Sequence, residues 1–432
     1  MQDFSLLRFA RRYSNKLDKE LKGAFVELYR PFHKVPCVMH RALENILKRT
    51  KRYPVIIEFE DVAFSQQVSK ASTIITKQLY SKIKREYPSI SSCSADLTPA
   101  AIEALLENHQ AIRKIYYDRK VRALLDKAVP SINAQTLHAQ NLKGEGITIA
   151  VIDTGIYPHP DLKGRIKAFK DFVNNKTEPY DDNGHGTHCA GDAAGDGTAS
   201  NGKYTGIAPK ASLIGVKVLD KMGSGSLSTV MAGVQWCIDN RKVYDIKVIS
   251  LSLGSSAVLP AAEDPMVKIV EAAWDSGITV CAAAGNEGPG EKTIASPGIS
   301  PKIITVGAMD DKDTAARLDD EVADFSSRGP TIDGFTKPDI LSPGVNIVSL
   351  RSPGSYLDKI TKASRVENDY CSLSGTSMAT PIVAGLVALI LQKHPELTPA
   401  EVKQRLMQTA ENWNLPSNTQ GAGYIRADLA VR

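Results

Sequence analysis

The stretch Gly375-Thr376-Ser377-Met378-Ala379-Thr380-Pro381 opens an apolar helical run from Ile382 to Leu391 and has the make-up of a mount for a nucleophile. A glycine turn among small residues lets the Ser377 hydroxyl stand clear at a helix N-terminus, where unpaired N–H groups and the helix dipole favour developing negative charge. Pro381 has no N–H to donate to the Ser377 carbonyl, so the helix opens with a missing hydrogen bond. Taken alone, the stretch fits a glycine-started core helix equally well. Two earlier segments supply context. Ile147 to Ile152 is apolar on both faces, as a buried parallel strand is, and runs into Asp153-Thr154-Gly155. Asp182-Asn183-Gly184-His185-Gly186-Thr187-His188-Cys189-Ala190-Gly191 flanks a histidine with glycines just ahead of a small-residue helix. A serine hydroxyl is a poor nucleophile until a base lies within hydrogen-bond reach and a third group fixes the tautomer of that base. Asp, His and Ser, in that chain order, are the residue types for such a set.

These three motifs resemble those of the subtilisin-like serine proteases, the subtilases, a family whose chain order is Asp, His, Ser. The resemblance implies that Ser377 is the nucleophile, His185 the general base and then acid, and Asp153 the carboxylate that orients His185. Ala282-Ala283-Ala284-Gly285-Asn286-Glu287-Gly288 is similar to the segment that supplies the family's oxyanion-hole amide, which assigns that role to Asn286. On its own, Asn286 before Glu-Gly reads as an ordinary turn asparagine. Gly223-Ser224-Gly225 and Ser252-Leu253-Gly254 match the backbone rails on which subtilases hold an extended peptide as an added strand. Leu227 stands where the family builds its S4 wall and Glu287 where it tunes the S1 rim. The implied activity is a serine endopeptidase of broad specificity that prefers an apolar P1 residue, works through an acyl-enzyme and needs no cofactor for its chemistry. A structural calcium ion stays open: Asp161 matches a calcium ligand of secreted subtilisins, but the partner loop there is replaced by residues 196–202.

The positioning elements fall into three expected domains. Residues 1–52 form a basic helical extension, with thirteen Lys or Arg against five Asp or Glu in a chain whose net charge is only +5. Leu17, Leu21, Phe25 and Leu28 are spaced as one apolar helix face, so the extension reads either as a docking arm for an acidic partner or as helices packed on their own protein. Residues 53–126 read as strand, polar helix to about Arg85, strand, helix opened by Thr98-Pro99, and strand, an order that resembles the subtilase propeptide. The resemblance implies an intramolecular inhibitor cleaved autocatalytically from a zymogen, with the cut at Leu124 or Leu125. Residues 127–432 alternate strands near 147–152, 213–219, 247–253, 278–283 and 303–308 with helices at 185–194, 226–240, 265–276 and 377–393. That predicts an α/β fold with a doubly wound, mostly parallel sheet, its site beyond the carboxyl ends of the strands. An insert from Arg351 to Tyr370 and the basic extension depart from the familiar subtilisins and point to an intracellular branch of the family.

Composition agrees with a soluble globular protein, at 42% hydrophobic and 23% charged residues. The run Ile382–Leu391 is short of the ~20 residues that span a membrane, and the N-terminus lacks the apolar core of a signal peptide. A cytoplasmic location, polypeptide substrates and no nucleic-acid partner are the expectations. Six scattered cysteines then read as reduced thiols, with Cys189 and Cys281 beside the candidate site. Two rivals remain: a metal-dependent hydrolase using His185 and His188, and a non-catalytic peptide-binding protein closed by its own N-terminal domain.

Overall fold

The computed structural model describes residues 4–30, 32, 36–60, 63–118, 120–123, 134–312, 317 and 319–432. They form two compact units, Met1–Arg119 and Lys120–Arg432.

In the first unit, four antiparallel strands lie in the order Lys82–Tyr87, Ser92–Leu97, Tyr53–Phe59, Ile112–Tyr117. The helices Phe64–Ile75 and Pro99–Asn108 supply Val68, Ala71, Ile75, Ile102 and Leu105 to the core against this sheet. Thr98 caps the second helix by accepting from the Ala101 N–H, with Pro99 at its first position. The polar helix expected up to Arg85 ends at Ile75, because Lys82-Ile83-Lys84-Arg85-Glu86-Tyr87 alternates in exposure and pairs with the Ser92–Leu97 strand instead.

The basic extension belongs to this same unit rather than standing apart. Leu6, Phe9, Leu17, Leu21 and Phe25 join Val55, Ile57 and Phe59 in one core. Lys16 and Asp18 also run along the Ile112–Tyr117 strand, with Ile115 N donating to Lys16 O at 2.8 Å and Asp18 N to Ile115 O at 3.1 Å, which covers a sheet edge. Glu44, buried, accepts from Tyr29 Oη at 2.8 Å, Ser5 Oγ at 2.9 Å and Leu6 N at 3.1 Å, and so ties the extension's helices together.

The second unit is built on an eight-stranded sheet. Its order is Glu321–Val322, Ile304–Asp310, Thr279–Ala283, Ile246–Leu251, Thr148–Asp153, Ser212–Lys217, Ile166–Asp171, with Ile340–Pro343 also parallel to Ile304–Asp310. Only Glu321–Val322 runs antiparallel. The helices His185–Ala194 and Thr376–Lys393 pack together, as do Leu227–Asp239 and Pro265–Asp275, and both pairs cover the sheet. This is the expected α/β architecture. The chain reverses its direction of winding between Thr148–Asp153 and Ile246–Leu251, and ligand sites in such sheets lie beyond the strand ends at that point. Thr376–Lys393 is long and apolar enough to cross a membrane by length and composition, yet it is 89% buried inside the unit, where it serves as the central core helix.

Because the extension completes the first unit's core, a Ser377→Ala chain started at Lys51 is expected to lose that unit's protection. Each large apolar side chain withdrawn costs ~1.5–3 kcal/mol, so five are comparable with the whole stability margin of a small domain. Hydrogen exchange checks this: the amides of Val55 to Phe59 are expected to exchange slowly in the full chain and fast in the truncated one. Equal protection would make the helices dispensable.

Candidate active site

Asp153 ends its strand and His185 begins its helix, and a network of short polar side chains joins the two. Asp153 Oδ1 accepts from His185 Nδ1 at 2.8 Å and from Thr154 N at 2.7 Å. Both side chains are fully buried. Gly186 makes room for the contact, since a Cβ there would strike the Gly155 carbonyl and Asp153 Cβ. Asp181 holds the loop from beneath: its Oδ1 accepts from Thr154 Oγ1, Asn183 N and Gly184 N, its Oδ2 from Thr187 N and Thr187 Oγ1, all at 2.7–3.1 Å. Lys217, register partner of Asp153, is buried and donates to Thr154 O, to Leu219 O at 3.0 Å and to Asp182 Oδ1 at 2.7 Å. The insert seals the same loop, with Tyr356 N donating to Asp182 O and Leu357 N to Asn183 O at 2.9 Å each.

Ser377 sits on the first turn of Thr376–Lys393 and is locked to Ser252 twice. Ser377 Oγ donates to Ser252 O at 3.1 Å, and Ser252 Oγ donates to Ser377 O at 2.7 Å. The second bond exists because Pro381 leaves the Ser377 carbonyl without its intrahelical donor. Cys189 adds a weak donor to that carbonyl at 3.5 Å and lies 3.8 Å from His185 Nδ1. Burial pushes the Cys189 thiol up to about 11, which removes it as a rival nucleophile.

Asn286 follows the Thr279–Ala283 strand through Gly285, whose φ of +111° favours glycine. Its Oδ1 accepts from Thr376 N and Thr376 Oγ1 at 3.0 Å each. That orients the amide so that Nδ2, buried, has no hydrogen-bond partner among the described residues. A donor thus stands unused one residue from Ser377. Such groups are normally satisfied in proteins unless function holds them open.

The rails come together as expected, with one shift. Ser224–Ser226 and Leu253–Ser256 flank a third strand, Lys120–Ala123, antiparallel to both. Ser224, Gly225 and Ser226 pair with Arg122, Val121 and Lys120, while Leu253 and Gly254 pair with Ala123 and Arg122. Gly223 lies outside the ladder, closing a turn onto Asp220 O at a φ of +73°. Gly254 permits the close neighbour strand, as a Cβ would lie 2.9 Å from Ser296 O. Leu227 is buried directly after the rail, and Glu287 is exposed beside Asn286 with its N–H on Ser327 Oγ at 3.1 Å. Leu124 and Leu125 lie outside the described residues.

His188 does not join His185 as a metal ligand: its Nδ1 faces Asp192 Oδ2 and its Nε2 faces Ile347 O, each at 3.0 Å. Asp153, His185 and Cys189 do bring their donor atoms within 4.8 Å of one another, but a shared proton already joins the first two. Asp161 is likewise taken. Its oxygens accept from Ala199 N and Tyr370 Oη at 2.8 Å each, and the Arg165 guanidinium donates to the carbonyls of Asp161, Ala194 and Ala211. An internal cation caged by carbonyls occupies the place a calcium ion needs, so the donor set at Asp161 does not fit the metal.

Asp181 and Lys217 have no counterpart among the residues singled out from sequence, and Thr154 figures there only as part of the motif after the strand. A lone lysine inside the apolar strand Leu213-Ile214-Gly215-Val216-Lys217-Val218-Leu219 is the signal that could have found Lys217. Asp181, three residues ahead of Gly184, carries the side-chain turn chemistry of its type.

An aspartate-paired imidazole, a serine at the head of a buried helix and an open amide donor, all at the carboxyl ends of a parallel sheet, have the layout of an α/β serine hydrolase. The sequence profile of the subtilase family (peptidase S8) matches residues 144–423. The chain belongs to that family and is a subtilisin-like serine protease, acting on polypeptides. It is 51% identical to the serine protease AprX of Bacillus subtilis (strain 168), with 100% of this chain and 99% of that protein covered. It is 35% identical to subtilisin E of the same organism, over 81% of this chain and 84% of that one. Among solved structures, fervidolysin from Fervidobacterium pennivorans shares the fold, at a TM-score of 0.68 and 24% identity over 89% of this chain and 62% of that chain.

Two outcomes follow from the geometry. Burial works against the charged His185 ring, but the Asp153 carboxylate, with Cys189 adding, carries its pKa well above 6.5. The acid limb of kcat/KM is therefore expected above pH 6.5, because the base must be neutral to act. The linked stability has the opposite sense, fully present below the unfolded value and lost as pH rises through the folded one. A pH profile of peptide hydrolysis checks the first and thermal midpoints of Ser377→Ala the second. Ser252→Ala removes the hydroxyl on the Ser377 carbonyl. At ~1–2 kcal/mol for a buried hydrogen bond, kcat is expected to fall by ~5- to 30-fold with KM nearly unchanged. An equal rise in KM would place Ser252 in substrate binding alone.

Proposed function

We propose that the chain is a self-processing zymogen of a serine endopeptidase in which Ser377, His185 and Asp153 act as nucleophile, acid-base and orienting carboxylate. Ser377 Oγ attacks the scissile carbonyl while His185 takes its proton. The oxyanion that forms accepts from Asn286 Nδ2 and the Ser377 N–H. Collapse expels the amine, which receives the proton from His185, and leaves an acyl-enzyme that water hydrolyses by the same steps in reverse order. The observation that carries the reading is the unused, oriented amide of Asn286 beside Ser377. No cofactor takes part in these steps.

Strand addition explains broad specificity, since main-chain hydrogen bonds supply most of the affinity. The strand Lys120–Ala123 supports the zymogen, because it fills the slot between the two rails as a substrate would. In that ladder Gly254 takes Arg122 and Leu253 takes Ala123, just ahead of Ser252. Ser252 O is also the acceptor of the Ser377 hydroxyl. Both expected bonds, after Leu124 or after Leu125, place an apolar residue at P1. Residues before the cut then serve as intramolecular inhibitor, and the protease works in the cytoplasm.

Intact-mass analysis of wild type and Ser377→Ala, with hydrolysis of a Leu- or Phe-ending peptide substrate, tests this. Wild type is expected to release a product beginning at Leu125 or Asp126 and to cleave the peptide; both are expected to vanish in the variant. A wild type that stays full length, inert and unlabelled by a sulfonyl fluoride would instead be a closed peptide-binding protein.

A further inference from the structure

His188 is a buried polar side chain that the reaction steps above do not use. It stands one turn beyond His185 on the helix His185–Ala194, and its ring is wholly withdrawn from water. Each ring nitrogen faces an oxygen, Nδ1 the carboxylate of Asp192 and Nε2 the carbonyl of Ile347, at 3.0 Å each. Asp192 lies four residues on along the same helix and is buried with it. An imidazole that serves two acceptors needs a proton on each nitrogen, and a charged ring inside the protein needs a carboxylate beside it. Asp192 is that carboxylate, so the pair presents a fixed N–H to Ile347.

This bond is one of two ties between the helix and a single strand, Ile347–Leu350. Ser349 Oγ donates back to His188 O at 2.8 Å. Gly191 lets the helix lie directly on the strand, since a Cβ there would strike Ser349 Oγ and Leu350 Cγ. The strand in turn pairs antiparallel with Tyr370–Leu373, with Ile347 opposite Leu373. Tyr370–Leu373 is the segment that leads into Gly375 and the nucleophile's helix. Asn346 N donates to Ser374 Oγ at 3.2 Å and Gly375 N to Gly344 O at 2.9 Å, which carries the pairing up to that helix. A path of direct hydrogen bonds thus joins the base's helix, through Ile347, to the residues just before Ser377.

We propose that His188, held by Asp192, is a positioning residue that sets the spacing between His185 and Ser377. It fixes the helix that carries the base to the strand pair that carries the nucleophile. Apolar packing between the helices His185–Ala194 and Thr376–Lys393 is non-directional, whereas a bond to one carbonyl fixes height and rotation. A proton crosses from one helix start to the other during attack, so the rate depends on that spacing while binding on the rails does not. The inference rests on the triad reading above.

The test compares full-length chains, with thermal midpoints to show that each is folded at the assay temperature. His188→Phe keeps the bulk of the ring and removes both of its polar ties. Because a shift of ~1 Å between reacting groups costs on the order of a hundredfold and Ser349 still holds the helix, kcat for peptide hydrolysis is expected to fall about tenfold, with KM within about twofold. His188→Gln combined with Asp192→Asn replaces the pair by two amides, restores a donor to Ile347 and is expected to regain most of the loss. In the Ser377→Ala chain, the downfield resonance of the His185 Nδ1 proton on Asp153 is expected to be narrow, and to broaden when His188→Phe is added. Should His188→Phe not fold, Ser349→Ala removes the return bond instead, and kcat is expected to fall about threefold at unchanged KM. The proposal is overturned if kcat stays at the parent value, if KM rises as far as kcat falls, if the amide pair recovers nothing, or if the resonance is unmoved. An inactive wild type would overturn the triad reading instead, and the resonance in Ser377→Ala would still decide the role of His188.

Discussion

The carbonyl of Ser377 is the point on which the site depends. A helix that began with all its hydrogen bonds would spend that carbonyl on the N–H four residues on, and Pro381 removes this donor. The vacancy is filled from another strand end, by the Ser252 hydroxyl at 2.7 Å, while the Ser377 hydroxyl returns to the Ser252 carbonyl. A local defect in one helix thus becomes a tertiary bond that fixes the nucleophile's backbone. It also fixes the nucleophile relative to the rail, because Ser252 is the residue that leads into Leu253–Ser256. Attack geometry and substrate register are set by one pair of serines.

The opposite half of the site is held by charge rather than by packing. Buried ionised groups cost free energy unless every lone pair and proton is used. Asp181 uses its carboxylate for five donors and Lys217 its ammonium for three acceptors. Between them they pin the residues on either side of Asp153 and His185. These groups leave Asp153 Oδ1 and His185 Nδ1 little choice but the 2.8 Å contact. Prepaid order of this kind spares the reaction the cost of arranging its groups at the moment of charge transfer.

Much of this was legible in the chain. Gly375 to Pro381, the strand ending at Asp153 and the glycines around His185 each carry a local constraint that survives folding, and the sheet follows from alternating strand and helix periods. Asn286 needed its neighbours, since an asparagine before Glu-Gly is ordinary until Thr376 is known to hold its oxygen. What stayed hidden depended on contacts distant in sequence. The helix expected to about Arg85 overruns the start of the Lys82–Tyr87 strand, because the charges there mask the alternation that a neighbouring strand selects. For the extension the sequence leaves a docking arm and packing on its own protein both open, because its fit to the sheet core appears only when Leu17 and Ile115 lie side by side. Gly223 was placed on a rail whose start its own positive φ excludes.

The treatment of positive charge ties the second unit together. Turns rich in carbonyl oxygen need a cation, and this chain repeatedly supplies one from its own side chains. Arg165 gathers the carbonyls of Asp161, Ala194 and Ala211. Lys403 gathers those of Pro301, Lys302 and Ile303 and adds Asp339 Oδ1 at 2.9 Å. Lys337 completes the second cluster on Asp339 Oδ2 at 2.6 Å, deep enough that burial, against the pull of Asp339, lowers its pKa to about 8. A tethered cation carries no binding equilibrium, so these turns hold their shape whatever the metal concentration, at the cost of desolvating a fixed charge.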